Sequence, residues 1–289
     1  MKIRFLLLFY FFLPVVSICQ GIRPSNIYRV TVTSSYEIER GERTSRFFAV
    51  GQELYDSLGR LHTEIDFNRE TNYPDNYRWH YYDSLLLVRT EYFINEKPVL
   101  RVVYSHDESG VLTGEQHFDF SGDDPVLLKT IGFINDQSGL PVQLRARNSS
   151  GRILYRTRSV YDGSGTEISR RVRRLRGGPD DLILRLERVP RYDGEGRLAS
   201  ETVRLRLTGR NRHSYTRKYR YDDHDNITGI VELDMHGKQV SRIEYVWQQN
   251  RNRITRIIHY DSDDRLEKYL ALRYEIYRTS DRRQRVIDY

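Results

Sequence analysis

Tyr192-Asp193-Gly194-Glu195-Gly196-Arg197-Leu198 is the stretch on which the reading of this chain turns. A strand ending in Tyr-Asp runs into a glycine-containing turn, and Arg-Leu opens a new alternating strand. Each residue type has a physical task. Asp after a strand accepts backbone N–H bonds across a turn, and Gly takes a positive φ at little steric cost. Leu restarts the core-facing alternation with Arg towards solvent. Tyr supplies a wide ring for cross-strand packing while its hydroxyl stays within reach of water.

Near-copies recur along the chain. Clear Tyr-Asp copies begin at Tyr55, Tyr82, Tyr161, Tyr192, Tyr221 and Tyr260, the one at Tyr82 decayed, with Ser84-Leu85-Leu86 replacing the Gly turn. Looser ones run over His106–Leu112, Phe133–Leu140, Asn148–Ile153 and Asp234–Lys238. The structural turn positions are Tyr55, Asp56 and Gly59; Tyr161, Asp162 and Gly165; Tyr192, Asp193 and Gly196; Tyr221 and Asp222; Tyr260 and Asp261. The segments between them alternate with period two: Val203, Leu205 and Leu207 face one way, Arg204 and Arg206 the other. Such segments, bounded by Gly, Asp, Asn and Ser, predict successive antiparallel hairpins. The expected fold is all-β, with a dozen or more strands in an elongated, twisted antiparallel sheet, curled or partly spiral.

Composition supports strands. The 289 residues include 22 Tyr and 11 Phe but only 2 Met, a bias towards sheet-forming side chains. Residues 1–19 stand apart. Lys2 and Arg4 precede an apolar run from Phe5 to Val16, and Ser17-Ile18-Cys19 places small residues before Gln20. This is the pattern of a cleaved secretory signal, leaving residues 20–289 as one β domain with its clearest repeats over 50–270. Export to a bacterial periplasm, cell surface or medium follows. Cys19 is the single cysteine. Its alternative use is lipidation, although Ile18 is not the small residue that a lipoprotein site carries at that position. Without the signal the net charge falls from +7 to +5, too mild a surplus to point to nucleic acid.

The quoted turns resemble the YD repeats of the rearrangement-hotspot (RHS) family, whose variants end in Gly-Arg-Leu or Asp-Asn-Ile, as at 192–198 and 221–227. The resemblance covers most of 50–270 and implies a β-rich exported or surface-associated protein. Long members form spiralling shells around a toxin. This chain has fewer repeats, and it lacks the family's Asp-Pro-x-Gly closing element.

Dedicated chemistry is absent from the motifs. The eight His are scattered, with no spacing suited to a metal. Asp222, Asp223, Asp225 and Asn226 crowd one turn but lack the Gly and the late Glu of a calcium loop. Ser164 sits between glycines without the rest of a nucleophile elbow. No catalytic, cofactor or metal residues are expected. The densest basic run contains Arg170, Arg171, Arg173, Arg174 and Arg176. It reads as a solvated surface paired across strands or, secondly, as a contact for an extracellular polyanion. The expected function is a non-enzymatic structural or binding surface of the envelope, with a glycan or protein partner. An envelope carbohydrate-active enzyme, with carboxylates in a groove of a curled sheet, is the alternative.

Overall fold

The structure is a computed structural model that describes residues 27–175, 183–207, 212–248 and 253–276. The signal region, Cys19, Arg176 and the polar tail lie outside the described residues. Eighteen strands follow one another: β1 (Ile27–Glu39), β2 (Glu42–Asp56), β3 (Leu61–Phe67), β4 (Pro74–Asp83), β5 (Leu86–Ile94), β6 (Lys97–His106), β7 (Leu112–Asp119), β8 (Val126–Asn135) and β9 (Pro141–Asn148). The second half comprises β10 (Ile153–Tyr161), β11 (Glu167–Arg174), β12 (Ile183–Tyr192), β13 (Leu198–Leu207), β14 (Arg212–Tyr221), β15 (Ile227–Leu233), β16 (Gln239–Gln248), β17 (Arg253–Tyr260) and β18 (Leu266–Ile276).

Each strand pairs antiparallel with the next, and β1 pairs with both β2 and β18. The expectation of an elongated, open or spiral sheet is therefore wrong: the sheet closes on itself as an 18-stranded antiparallel barrel. The closing ladder runs from Arg29↔Ile276 to Tyr36↔Tyr269. It removes both free edges, which would otherwise present unpaired N–H and C=O groups. Barrels of 16–18 strands are wide enough to hold an aqueous channel.

The hairpins explain the regularity. Nine turns share one build: the N–H of the Asp or Asn bonds the carbonyl four residues on, and its own carbonyl accepts the N–H three residues on. In the 193–197 turn these bonds measure 2.9 and 3.1 Å. Asp193 Oδ1 also accepts from the N–H groups of Glu195 (3.0 Å) and Arg197 (2.8 Å). The fourth residue of each turn is left-handed, Gly196 at φ 81° for example. This is a three-residue hairpin loop closed by a bulge, and the register shifts fall at these turns, between Arg191 and Tyr192 here. Two turns place Asp225 (φ 63°) and Asp264 (φ 58°) where the other seven carry Gly.

Around the ring the side chains divide into two faces. Ionisable groups raised or lowered mainly by burial stand on one of them: His62, Tyr104, Tyr155, Tyr219, His259 and Tyr274. On that face the Tyr155 hydroxyl also feels the Glu115 carboxylate from three strands away. Between β7 and β10 this is therefore the concave side, and we refer to it as the inner wall. The densest apolar cluster, Val30, Val32, Ala49, Leu54, Ile65, Phe67 and Tyr77 with Phe93 packed against it, lies on β1–β5. The registers put it on the face opposite to those groups, so on β1–β5 that face is buried as well.

Candidate functional site: an arginine-ruled outer face

Counting residues away from the turns fixes which side chains meet across strands. On the outer face of β10–β14, Arg158, Arg171, Arg185, Arg206 and Arg212 stand directly opposite one another in turn. A second row runs Arg145, Arg156, Arg173 across β9–β11. All eight are exposed. Cross-strand neighbours lie about 4.5–5.5 Å apart at Cβ, and like charges placed so are destabilising. Among the described residues, the acid paired with these rows is Glu187, which binds Arg185.

The basic run read from the sequence is split by the sheet. Arg171 and Arg173 join the outer rows. Arg170 and Arg174 point to the inner wall, where Arg170 binds Glu167 through Nε–Oε1 at 2.8 Å and Nη2–Oε2 at 2.6 Å. Arg176 lies outside the described residues. Of the acids expected to neutralise the run, Asp180 and Asp181 lie outside the described residues and Glu187 binds Arg185, while Arg171 meets Arg158 on one side and Arg185 on the other. Arg145, Arg156, Arg158, Arg185, Arg206 and Arg212 were not singled out by sequence, because each pair is separated by a hairpin. They share no common offset from the turn Asp, so only the pairing register aligns them.

Five Tyr-Asp positions build one rim, and Tyr260-Asp261 turns at the opposite end. Tyr82 donates its hydroxyl to the Leu61 carbonyl at 2.9 Å, and Tyr221 to that of Leu198 at 3.0 Å. Tyr161 reaches Pro141 O, and Tyr192 reaches Asp162 Oδ2, each thereby binding the preceding hairpin. Asn135 and Trp247 make the same bond to Leu112 O and Ile227 O, both at 2.8 Å. The Arg of Arg-Leu is not simply solvated. Arg60 binds Asp56 at 2.6 Å and lies over the Tyr82 ring, and Arg197 binds Asp193 at 2.9 Å and lies over Tyr221. Tyr55 is hydrogen-bonded to Glu53, and burial first, then that bond, pushes its hydroxyl up to about 12. Tyr260 bonds Glu244, while Asp261 holds the last turn through Asp263 N and Arg265 N.

The inner wall carries its acids paired. Glu201, 4% exposed, accepts from Tyr219 at 2.7 Å between Arg188 and Arg217, and Arg217 also binds Glu232. His80 bridges Glu64 and Thr90 at 3.0 Å each. That order resembles a nucleophile relay, but Thr90 is 1% exposed, so its hydroxyl cannot meet a substrate. No cluster of three His, Cys, Asp or Glu suited to a metal occurs among the described residues. Asp222 Oδ1 is already bonded to the His224 and Asn226 N–H groups.

No family model and no curated protein matches the chain. Solved structures do show likenesses. Two contain Tc toxin components: the Photorhabdus luminescens Tc holotoxin pore and TcdB2-TccC3. Each matches at 14% identity and TM-score 0.35 over 87% of this chain but only 15% of the other. A porin-like protein from Bacteroides uniformis matches at 8% identity and TM-score 0.44, over 86% of this chain and 96% of its own. One from Bacteroides vulgatus matches at 12% and 0.32, over 85% and 97%. Likenesses of this size assign neither family nor activity.

Proposed function

We propose that the chain is an exported, non-enzymatic β-barrel of a bacterial envelope whose outer arginine rows bind an acidic polymer there, such as an anionic glycan or a lipopolysaccharide. The observation carrying this reading is the row of five mutually opposed arginines. A sheet builds such a row against its own stability, and a polyanion laid across the strands supplies the missing counter-charge. Guanidinium suits the task because its planar donors engage carboxylates and phosphates bidentately. The same cations argue that this wall faces water, since an Arg at a bilayer midplane costs about 2–4 kcal/mol. The apolar stretch at 1–19 supports export, and the YD-like turns are in keeping with a surface-associated scaffold. The paired acids of the inner wall favour binding over hydrolysis.

The test is retention of residues 20–289 on immobilised lipopolysaccharide and on heparin, eluted with a salt gradient. Elution at high salt, shifted to much lower salt when Arg158, Arg171 and Arg206 are replaced by Gln, is the expected outcome. Passage of the unaltered protein straight through both columns would overturn the reading.

A further inference from the structure

Beside the arginine rows the outer wall has a hollow. Gly114 of β7 pairs directly with Gly132 of β8, and Gly132 in turn with Arg145 of β9. Two adjacent outward positions therefore lack side chains, while the flanking ones carry Gln116, Thr130, Arg145 and Arg147. Together these residues line an open hollow of about 450 Å³, within the usual range of small-molecule sites, about 300–1,000 Å³. A Cβ on Gly132 would meet nothing within 4 Å, so the space above it is empty. Neither glycine has a positive φ. At 114 a Cβ would press on the Ile131 carbonyl at 3.2 Å, whereas at 132 neither backbone conformation nor space requires glycine, which in a strand interior weakens the sheet.

The polar groups around this floor are of two kinds. Arg145 is exposed and has no ion-pair partner among the described residues; Arg147 uses one N–H on the Gly151 carbonyl at 3.1 Å. The Gln116 amide and the Thr130 hydroxyl face each other across the β7–β8 ladder, in one row with Arg147 beside the two glycines. Two guanidinium groups beside an amide, a hydroxyl and a bare backbone floor fit a flat ring that carries one anionic group and several hydroxyls.

We propose that this hollow is a subsite for one acidic sugar unit. The carboxylate or phosphate would lie on Arg145 and Arg147, the ring over Gly114 and Gly132, and the ring hydroxyls against Gln116 and Thr130. It rests on the polyanion reading and refines it. The arginine rows give charge-driven attachment, and the hollow selects a glycan over any other acidic chain.

Calorimetric titration of residues 20–289 with three probes tests this: oligogalacturonate, phosphomannan, and polyglutamate of matched charge. At least one sugar probe should bind tenfold or more tightly than polyglutamate, and which one does so separates a carboxylate from a phosphate source. Gly132→Trp, at a position where a Cβ meets nothing within 4 Å, fills the hollow and should abolish that preference. Gln116→Ala, a milder change, should reduce the preference in the same direction if the Trp variant does not fold. Polyglutamate binding equal to both sugar probes overturns the subsite alone. So does a preference that survives both variants. Failure of all three probes to bind overturns the polyanion reading with it.

Discussion

Arg158 of β10 and Arg171 of β11 stand directly opposite each other on the outer wall, and Arg185 of β12 continues the row beyond them. Stability and binding should therefore oppose one another at Arg171. Arg171→Glu converts two repulsions into two cross-strand ion pairs, each contributing about 0.2–1 kcal/mol. The melting temperature should rise while elution from heparin moves to lower salt. Calorimetry and the salt gradient, run on one preparation, check both signs.

Closure can be tested covalently. Ser34 of β1 pairs with Ala271 of β18, and residues 20–289 contain no cysteine. Ser34→Cys with Ala271→Cys should form a disulfide under mild oxidation and run faster on a non-reducing gel. An open or spiral sheet would leave both thiols free to react with a maleimide.

The tyrosine that binds one hairpin to its neighbour can be dissected by two substitutions. Tyr221→Phe removes only the bond to Leu198 O and should cost about 0.5–1.5 kcal/mol. Tyr221→Ala also removes the ring beneath Arg197 and should cost about 3 kcal/mol or more. Denaturant melts of the two variants separate the hydroxyl from the ring.

At the left-handed turn position, Gly196→Ala should destabilise by about 1–2 kcal/mol, the strain of that conformation for a residue with a Cβ. Asp225 already bears such strain, and its carboxylate holds Arg197 at 2.8 Å. Asp225→Gly relieves the strain and loses that contact, so its melting temperature should change little. A large loss would show that the Arg197 contact dominates.

Acid should weaken the barrel in two windows. Burial depresses His62 and His259, so the unfolded chain takes up their protons first. The stability they contribute is complete above the ordinary His value of about 6.5 and declines as pH falls below it. The turn carboxylates are lowered too. In Asp193 and Asp234 the chief cause is the backbone N–H four residues on, and in Asp107 and Asp162 it is a serine hydroxyl. Their share is present above about pH 3.9 and is lost below it. Melting temperatures between pH 8 and pH 2, taken as rough bounds of the titrations, should fall in two steps. Replacing both His62 and His259 by Gln should remove the upper one.

The sequence made the hairpins legible because everything that builds one lies within seven residues: Asp to cap the turn, Gly for its left-handed position, Leu to restart the strand. Asp107, Asp136, Asn148 and Asp234 form the same turn in looser copies. Two other features were not legible. Closure depends on Val30 meeting Glu275, and no local pattern announces that pairing. The arginine row depends on register across four successive ladders, so Arg158 and Arg212 share a line only once every intervening turn is counted. The two Gly of the outer hollow are equally silent, since a lone Gly within a strand reads as a weak point until its neighbour is known.

The back-reaching bonds of the rim give the barrel an order of assembly. Tyr161, Tyr192, Tyr221 and Trp247 each bind the hairpin before their own, so each later hairpin meets a finished docking edge. Among the described residues, seventeen of the eighteen ladders join consecutive strands, and only β1 with β18 joins distant ones. Local pairings form early because little loop entropy opposes them. The barrel should therefore grow as a ribbon in the direction of synthesis and seal in one late, slow step, exposing β1 as an unpaired edge until the last strand arrives.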